Sequence, residues 1–171
     1  MELLKVACEL NDVVDATMDQ LWGGGLLLTS AGRAGTYNAM TIGWGLVGRL
    51  WRSPVFMVAV RPSRHTHRLI EETQEFVVNV PDDRLKDTVE YCGKVSGRDY
   101  DKIAEKGLTA EPGSHVRAPL IRECTAHYEC RVIGASQVVP ELMSGEVQQL
   151  YAAGNYHTLY YGAILSILTD R

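Results

Sequence analysis

The segment PVFMVAV, Pro54 to Val60, carries no polar side chain along its length. A run this short and this apolar, bounded by Pro54 and Arg61, reads as a strand covered on both faces. It is far below the roughly 20 residues a membrane span needs. EFVVNV (75–80) repeats the pattern, and LLLTSA (26–31) with YNAMTIGWG (37–45) around a GRAG turn reads as a β-hairpin. A chain with such strands must build a sheet and find cover for both of its sides.

Helical signals lie between the strands. Residues 10–22 place Leu10, Val13, Val14, Met18, Leu21 and Trp22 near one helical stripe, which Gly23 to Gly25 stop. THRLIEET (66–73) predicts a short helix, Pro81 with Asp82 and Asp83 opens another reaching about Cys92, and DYDKIAEKG makes one more, closed by Gly107. The remainder reads as strand: AHYECRVIGASQVV (126–139), MSGEVQQLYAAG (143–154) and YHTLYYGAILSIL (156–168). Strands with short helices inserted do not alternate as βαβ units do, so the expected class is mainly β, an antiparallel barrel or sandwich.

With 171 residues and neither repeats nor a low-complexity linker, one domain over 1–171 is expected, with 1–22 as a helical N-terminal extension. A net charge of -4 provides no basic field, which argues against nucleic acid and an anionic membrane surface as partners. Cys8, Cys92, Cys124 and Cys130 have no CxxC spacing and read as reduced, buried thiols of a cytoplasmic protein. The N-terminus turns acidic too early for a signal peptide.

YNAMTIGWG alternates unusually. Asn38, Met40, Ile42 and Trp44 share one face, while Ala39, Thr41 and Gly43 leave the other bare, room for a flat ligand to reach the main chain. Gly43, Gly45 and Gly48 satisfy GxGxxG, but Pro54 follows too soon for the long helix of a dinucleotide fold, so the glycines read as a turn or bulge. His65 and His67 could share one face of an extended segment as metal ligands, but no third ligand cluster accompanies them and no metal site is assigned.

RPSRHTHR (61–68) holds Arg61, Arg64 and Arg68 with two histidines and no acid, at the start of a helix that Ser63 or Thr66 could cap. Two readings stay open on charge alone: a phosphate site at a helix N-terminus, or a solvated basic turn. CGKVSGRDYDK (92–102) adds glycines, Ser96 and three cations, but Asp99 and Asp101 reduce its charge.

Taken in order, NAMTIGW, PVFMVAVRPSRHTHRLIEETQEFVVNVP, CGKVSGRDYDK, APLIRECTAHYECRV and YHTLYYGAI resemble the flavin reductase-like family of FMN-binding split barrels, in particular its flavoredoxin branch. The resemblance implies a Greek-key split β-barrel and a homodimer with FMN near the interface. It implies that Asn38, Ala39, Met40, Thr41 and Ile42 line the flavin ring, largely through main-chain groups. Ser63, Arg64 and Thr66, with Pro62 and His65 beside them, would hold the phosphate and ribityl chain. Asn79 matches a position near the cofactor, and Ser96, Gly97 and Lys102 complete the phosphate site. His157 falls where many relatives carry an Asp-His pair beside the flavin, but here Tyr156 precedes it.

That family implies an oxidoreductase that passes hydride from NADPH or NADH to flavin, with free flavin, ferric complexes or a partner protein as acceptor. The alternative is a flavoredoxin-type electron carrier with tightly bound FMN, reduced by a separate partner. A third class, a non-redox binding module, predicts a colourless protein.

Overall fold

A computed structural model describes residues 5–170. Seven strands lie side by side in one antiparallel sheet: β2 (Leu26–Ala31), β3 (Tyr37–Ile42), β4 (Gly45–Leu50), β5 (Ser53–Val60), β6 (Glu75–Val80), β9 (Ala126–Gln137) and β10 (Thr158–Asp170). Their order is β3-β2-β6-β9-β10-β5-β4, the short β1 (Lys5–Ala7) pairs with the end of β10, and β7 (Ala110–Glu111) with β8 (Leu120–Ile121) forms a separate two-stranded sheet. The two ends of this path, β3 and β4, are joined by Gly43 and Trp44 alone. A link that short brings one edge of the sheet round to the other, so that β3 comes into contact with β5, while the N–H of Ala59, donating to the carbonyl of Trp44, extends the β5–β4 ladder. The sheet therefore curls into a barrel.

Alternation along each strand fills the barrel. Leu26 and Leu28, Met40 and Ile42, Phe56 and Val58, Phe76 and Val78, Tyr128 and Tyr160 point inward and form one buried cluster. Helix α1 (Leu10–Gly23) covers this core with Val13, and its buried Thr17 hydroxyl lies 2.6 Å from the Tyr128 phenol. Gly162 gives the core room, because a Cβ there would lie 2.4 Å from the Phe76 ring.

The outer face is covered by helices and loops. Helix α2 (His65–Thr73) lies against β2 and β3, and α3 (Lys86–Lys94) packs on β3. The small face of YNAMTIGWG is the seat of α3: Ala39 is fully buried among Leu27, Val89, Cys92 and Ile103, and the Thr41 hydroxyl donates to the carbonyl of Val89. The room that the sequence suggested for a flat ligand is taken by a helix, since small side chains let the two backbones approach.

Two other expectations change. Residues 45–50 form a strand rather than a turn or bulge, with Gly45 opposite Val58 and Gly48 opposite Val55. Its hairpin to β5 turns on Trp51 and Arg52, both at positive φ (48° and 66°), without the Asn-Gly signal such turns favour. Residues 143–154 are not a strand but carry α5 (Gly145–Gln149), whose first turn is capped by the hydroxyl of Ser144. As expected, none of the four cysteines forms a disulfide, and Cys92, Cys124 and Cys130 are buried while Cys8 is half-buried.

Candidate functional site

Helix α2 begins without a side-chain cap. Both hydroxyls suited to the task are turned elsewhere: Ser63 Oγ accepts from Asn155 Nδ2 at 2.7 Å, and Thr66 Oγ1 accepts from Asn38 Nδ2 at 2.8 Å. With the N–H of His67 bonded to the carbonyl of Arg64, those of His65 and Thr66, at the positive end of the helix dipole, are left for a ligand. Arg64, the N-cap residue itself, adds a guanidinium to the same cleft.

The opposite wall comes from the segment after α3. Ser96 and Gly97 lead into α4 (Lys102–Glu105), and Gly97 sits so close to Asn38 that a Cβ would lie 1.9 Å from Asn38 Oδ1. Arg98 reaches across to the carbonyl of Ser63 at 2.8 Å. Lys102 is buried, and its ammonium donates to the carbonyls of Cys92 (3.1 Å) and Val95 (3.3 Å). Burial lowers its pKa from the usual lysine value. Between these walls is a cleft of about 310 Å³.

A second cleft, about 210 Å³, shares Met40, Arg61 and Arg64 with the first and runs along the end of β3 to Trp44 and His157. Because β3 is the terminal strand of the path, alternate main-chain N–H and C=O groups along it have no strand partner among the described residues. His157 is buried against Trp44, with ring centroids 4.8 Å apart, and its Nδ1 lies 2.8 Å from the Tyr151 hydroxyl. Its pKa is lowered to about 4, first by burial and then by Arg61 and Arg64, so at neutral pH the imidazole is uncharged.

The structure brings Asn38, Met40, Ser63, Arg64, His65, Thr66, Ser96, Gly97 and Lys102 to the first cleft, and Met40, Thr41, Ile42 and His157 to the second. Ala39 is buried beneath α3, and Pro62 is exposed beside the cleft without lining it. Asn79 lies apart. It is fully buried, donating to the carbonyl of Leu27 and accepting from the N–H of Ile121 at 2.9 Å, with His127 Nδ1 2.8 Å from its Oδ1. His65 and His67 do not share a face, because they fall in the first turn of α2: His65 lines the first cleft while His67 Nε2 meets Thr158 Oγ1 at 3.1 Å. The groups that sequence reasoning missed are Tyr151 and Asn155, which reach the site from the segment before β10.

A curled antiparallel sheet with an edge-strand groove ending at an uncapped helix is the architecture of the split-barrel class. Residues 18–170 match the family model described as the flavin reductase like domain, and the chain belongs to the flavin reductase-like family. Among solved structures it is similar to the flavoredoxin of Desulfovibrio vulgaris (Miyazaki F), with a TM-score of 0.70 and 26% identity over 86% of this chain and 69% of that one. An FMN-binding domain of a flavin reductases-like enzyme from Shewanella baltica OS155 shares the fold at TM-score 0.70, with 20% identity over 99% of this chain and 79% of that one.

Curated relatives include an uncharacterized protein of Archaeoglobus fulgidus, 38% identical over 76% of this chain, and one of Pyrococcus abyssi, 30% identical over 81%. The chain spans 64% of the length of the first and 70% of the second. Membership of this family supports a flavin-related redox function. Among the described residues no helix is long and apolar enough to cross a membrane.

Proposed function

We propose that the chain binds FMN along the two joined clefts and works as an NAD(P)H-dependent flavin or ferric reductase. The observation that carries this reading is the α2 N-terminus: both of its candidate caps are diverted, and Arg64 and Lys102 face the space they leave. His65 lines the same space, with its Nδ1 buried and without a hydrogen-bond partner. These donors fit a phosphate, and the unpaired edge of β3 fits a planar ring read through main-chain groups. Flavin, when bound, supplies the two-electron chemistry, taking hydride from reduced nicotinamide and passing electrons on.

The chain's own residues bind and orient. Arg64, Lys102 and the first-turn N–H groups neutralise the phosphate, while Asn38 holds Thr66 and is itself backed by Gly97. Main-chain N–H groups between Met40 and Ile42 oppose negative charge as it develops on the ring. With Nδ1 committed to Tyr151, His157 has Nε2 to offer the ring cleft. Tyr151 thus supplies the orienting partner that the residue before His157 does not.

The second reading is a flavoredoxin-type carrier that holds FMN tightly and takes electrons from a separate partner protein; likeness to a flavoredoxin supports it. Leu46, Leu50 and Trp51, exposed together on the edge strand β4 and its turn, support a homodimer. Four cysteines outside any disulfide support a cytoplasmic setting. One experiment separates the readings: a visible spectrum of the purified protein before and after anaerobic NADPH and NADH. Flavin absorbance that bleaches within the mixing time supports the reductase; flavin that stays oxidised supports the carrier; protein that retains no FMN overturns both.

A further inference from the structure

The turn before β10 is held by the segment that opens α2. Gly154 and Asn155 are consecutive left-handed residues (φ 71° and 59°), a reversal that glycine and asparagine accept more readily than other residues. One side chain takes up both of their carbonyls: Arg61 Nη1 donates to that of Asn155 at 2.9 Å and to that of Gly154 at 3.4 Å. The Asn155 amide returns to the same segment, donating to Ser63 Oγ at 2.7 Å. The Arg61 guanidinium also lies over the Tyr151 ring, 5.2 Å from its centroid.

His157 stands inside this lacing. Residues 151–157 belong to no helix or strand, so side-chain contacts, with one main-chain bond from the Val138 N–H to the His157 carbonyl (3.3 Å), tie them to the sheet. Two residues before His157, Asn155 is clamped from Arg61 and Ser63. One residue after it, Thr158 Oγ1 meets His67 Nε2 at 3.1 Å and accepts from Gln137 Nε2 at 2.9 Å. Tyr156 stacks on Tyr151, centroids 4.7 Å apart, and Tyr151 in turn meets His157 Nδ1. The holds from Arg61, Ser63 and His67 all come from the stretch that builds one wall of the phosphate cleft, so the same few residues also decide where His157 sits.

We propose that Arg61 is a positioning residue for His157: by holding the Gly154-Asn155 turn and the Tyr151 ring together, it sets which imidazole nitrogen meets the ring cleft. Arg61 lines both clefts, so one side chain joins the phosphate end of the groove to its ring end. The meaning of this for catalysis rests on the reading of the groove as a flavin site; the contacts themselves involve no ligand. A planar guanidinium can reach two carbonyls and cover a ring at once, which an ammonium cannot. Arg61 and Arg64 are the cations that oppose protonation of His157, with burial acting first in the same direction.

The test uses full-length protein without added flavin, with Arg61→Gln and Arg61→Lys. ¹⁵N NMR of the imidazoles should show one His157 tautomer in the parent and a mixture in both variants. The His157 titration midpoint should rise by about one pH unit in Arg61→Gln, the scale of one nearby charge, and stay in place in Arg61→Lys, which keeps the charge and loses the fork. Asn155→Ala, which removes the hold from Ser63 and leaves the Arg61 charge, should mix the tautomers without moving the midpoint. Circular dichroism confirms folding, and Asn155→Ala serves if the Arg61 variants do not fold. FMN retention is read separately from the visible spectrum, and its failure in the parent fails the flavin reading without touching the imidazole result. Folded variants that keep the parent's His157 tautomer overturn the proposal, and loss of FMN from them would then make Arg61 a flavin ligand alone.

Discussion

The Tyr151 hydroxyl lies 2.8 Å from Nδ1 of His157, and the pair is buried beside Trp44 at the ring end of the groove. This contact fixes which imidazole nitrogen faces the cleft. Tyr151→Phe keeps the ring packing and removes only the hydroxyl. We expect ¹⁵N NMR of the histidines to show one tautomer at His157 in the parent protein and a mixture in the variant. FMN affinity should change by less than about tenfold, the scale of one net hydrogen bond. An unchanged ¹⁵N spectrum would show that Tyr151 does not set the tautomer.

Gly97 and Asn38 are matched in the same way at the phosphate end. Gly97→Ala places a Cβ where Asn38 Oδ1 now lies, so Asn38 must move and release Thr66. FMN affinity measured by fluorescence quenching should fall about tenfold or more. Because the strain is local to a cleft, the melting temperature should shift little.

Asn79 gives the opposite result. Its side chain bridges Leu27, Ile121 and His127 in the interior, away from both clefts. Asn79→Leu leaves buried partners without a mate, each costing about 1–3 kcal/mol. Chemical denaturation should therefore show a loss of at least that size, while FMN affinity per folded molecule stays unchanged.

His157 also predicts a pH dependence. Its pKa is near 4 in the fold and 6.5 in the unfolded chain, so between those values the unfolded state binds a proton that the folded state refuses. The stabilisation is complete above pH 6.5 and is lost as pH falls toward 4. His157→Gln should lose less stability than the parent between about pH 7 and about pH 5, measured by urea denaturation.

The sequence discloses what local pattern controls. The apolar runs at 26–31, 54–60 and 75–80 became strands because period and length suffice there, and the RPSRHTHR charges marked the cleft because no acid lies among them. Strand β4 was hidden because its turn, Trp51-Arg52, lacks turn residues and is held at positive φ by tertiary contact: the Trp51 ring packs edge-on against Tyr161, centroids 5.4 Å apart. The helix at 145–149 did have a local signal, Ser144 as its cap, overshadowed by the apolar residues around it. The bare face of β3 was visible as bare, but nothing local says whether a ligand or a helix will cover it. Tyr151 could not be paired with His157 from spacing, since the contact depends on the loop between them carrying two left-handed residues, Gly154 and Asn155.

The last strand among the described residues, β10, occupies the middle of the sheet, between β9 and β5. Until residues 158–170 are made, the β5–β4 hairpin has no strand linking it to the β3-β2-β6-β9 half, and both halves present open edges. The ring cleft draws Met40 and Ile42 from one half, Ala59 from the other, and His157 from the entrance to β10. The ring cleft therefore cannot assemble until residues 158–170 have joined the two halves, and until then both halves keep sheet edges open to wrong pairing.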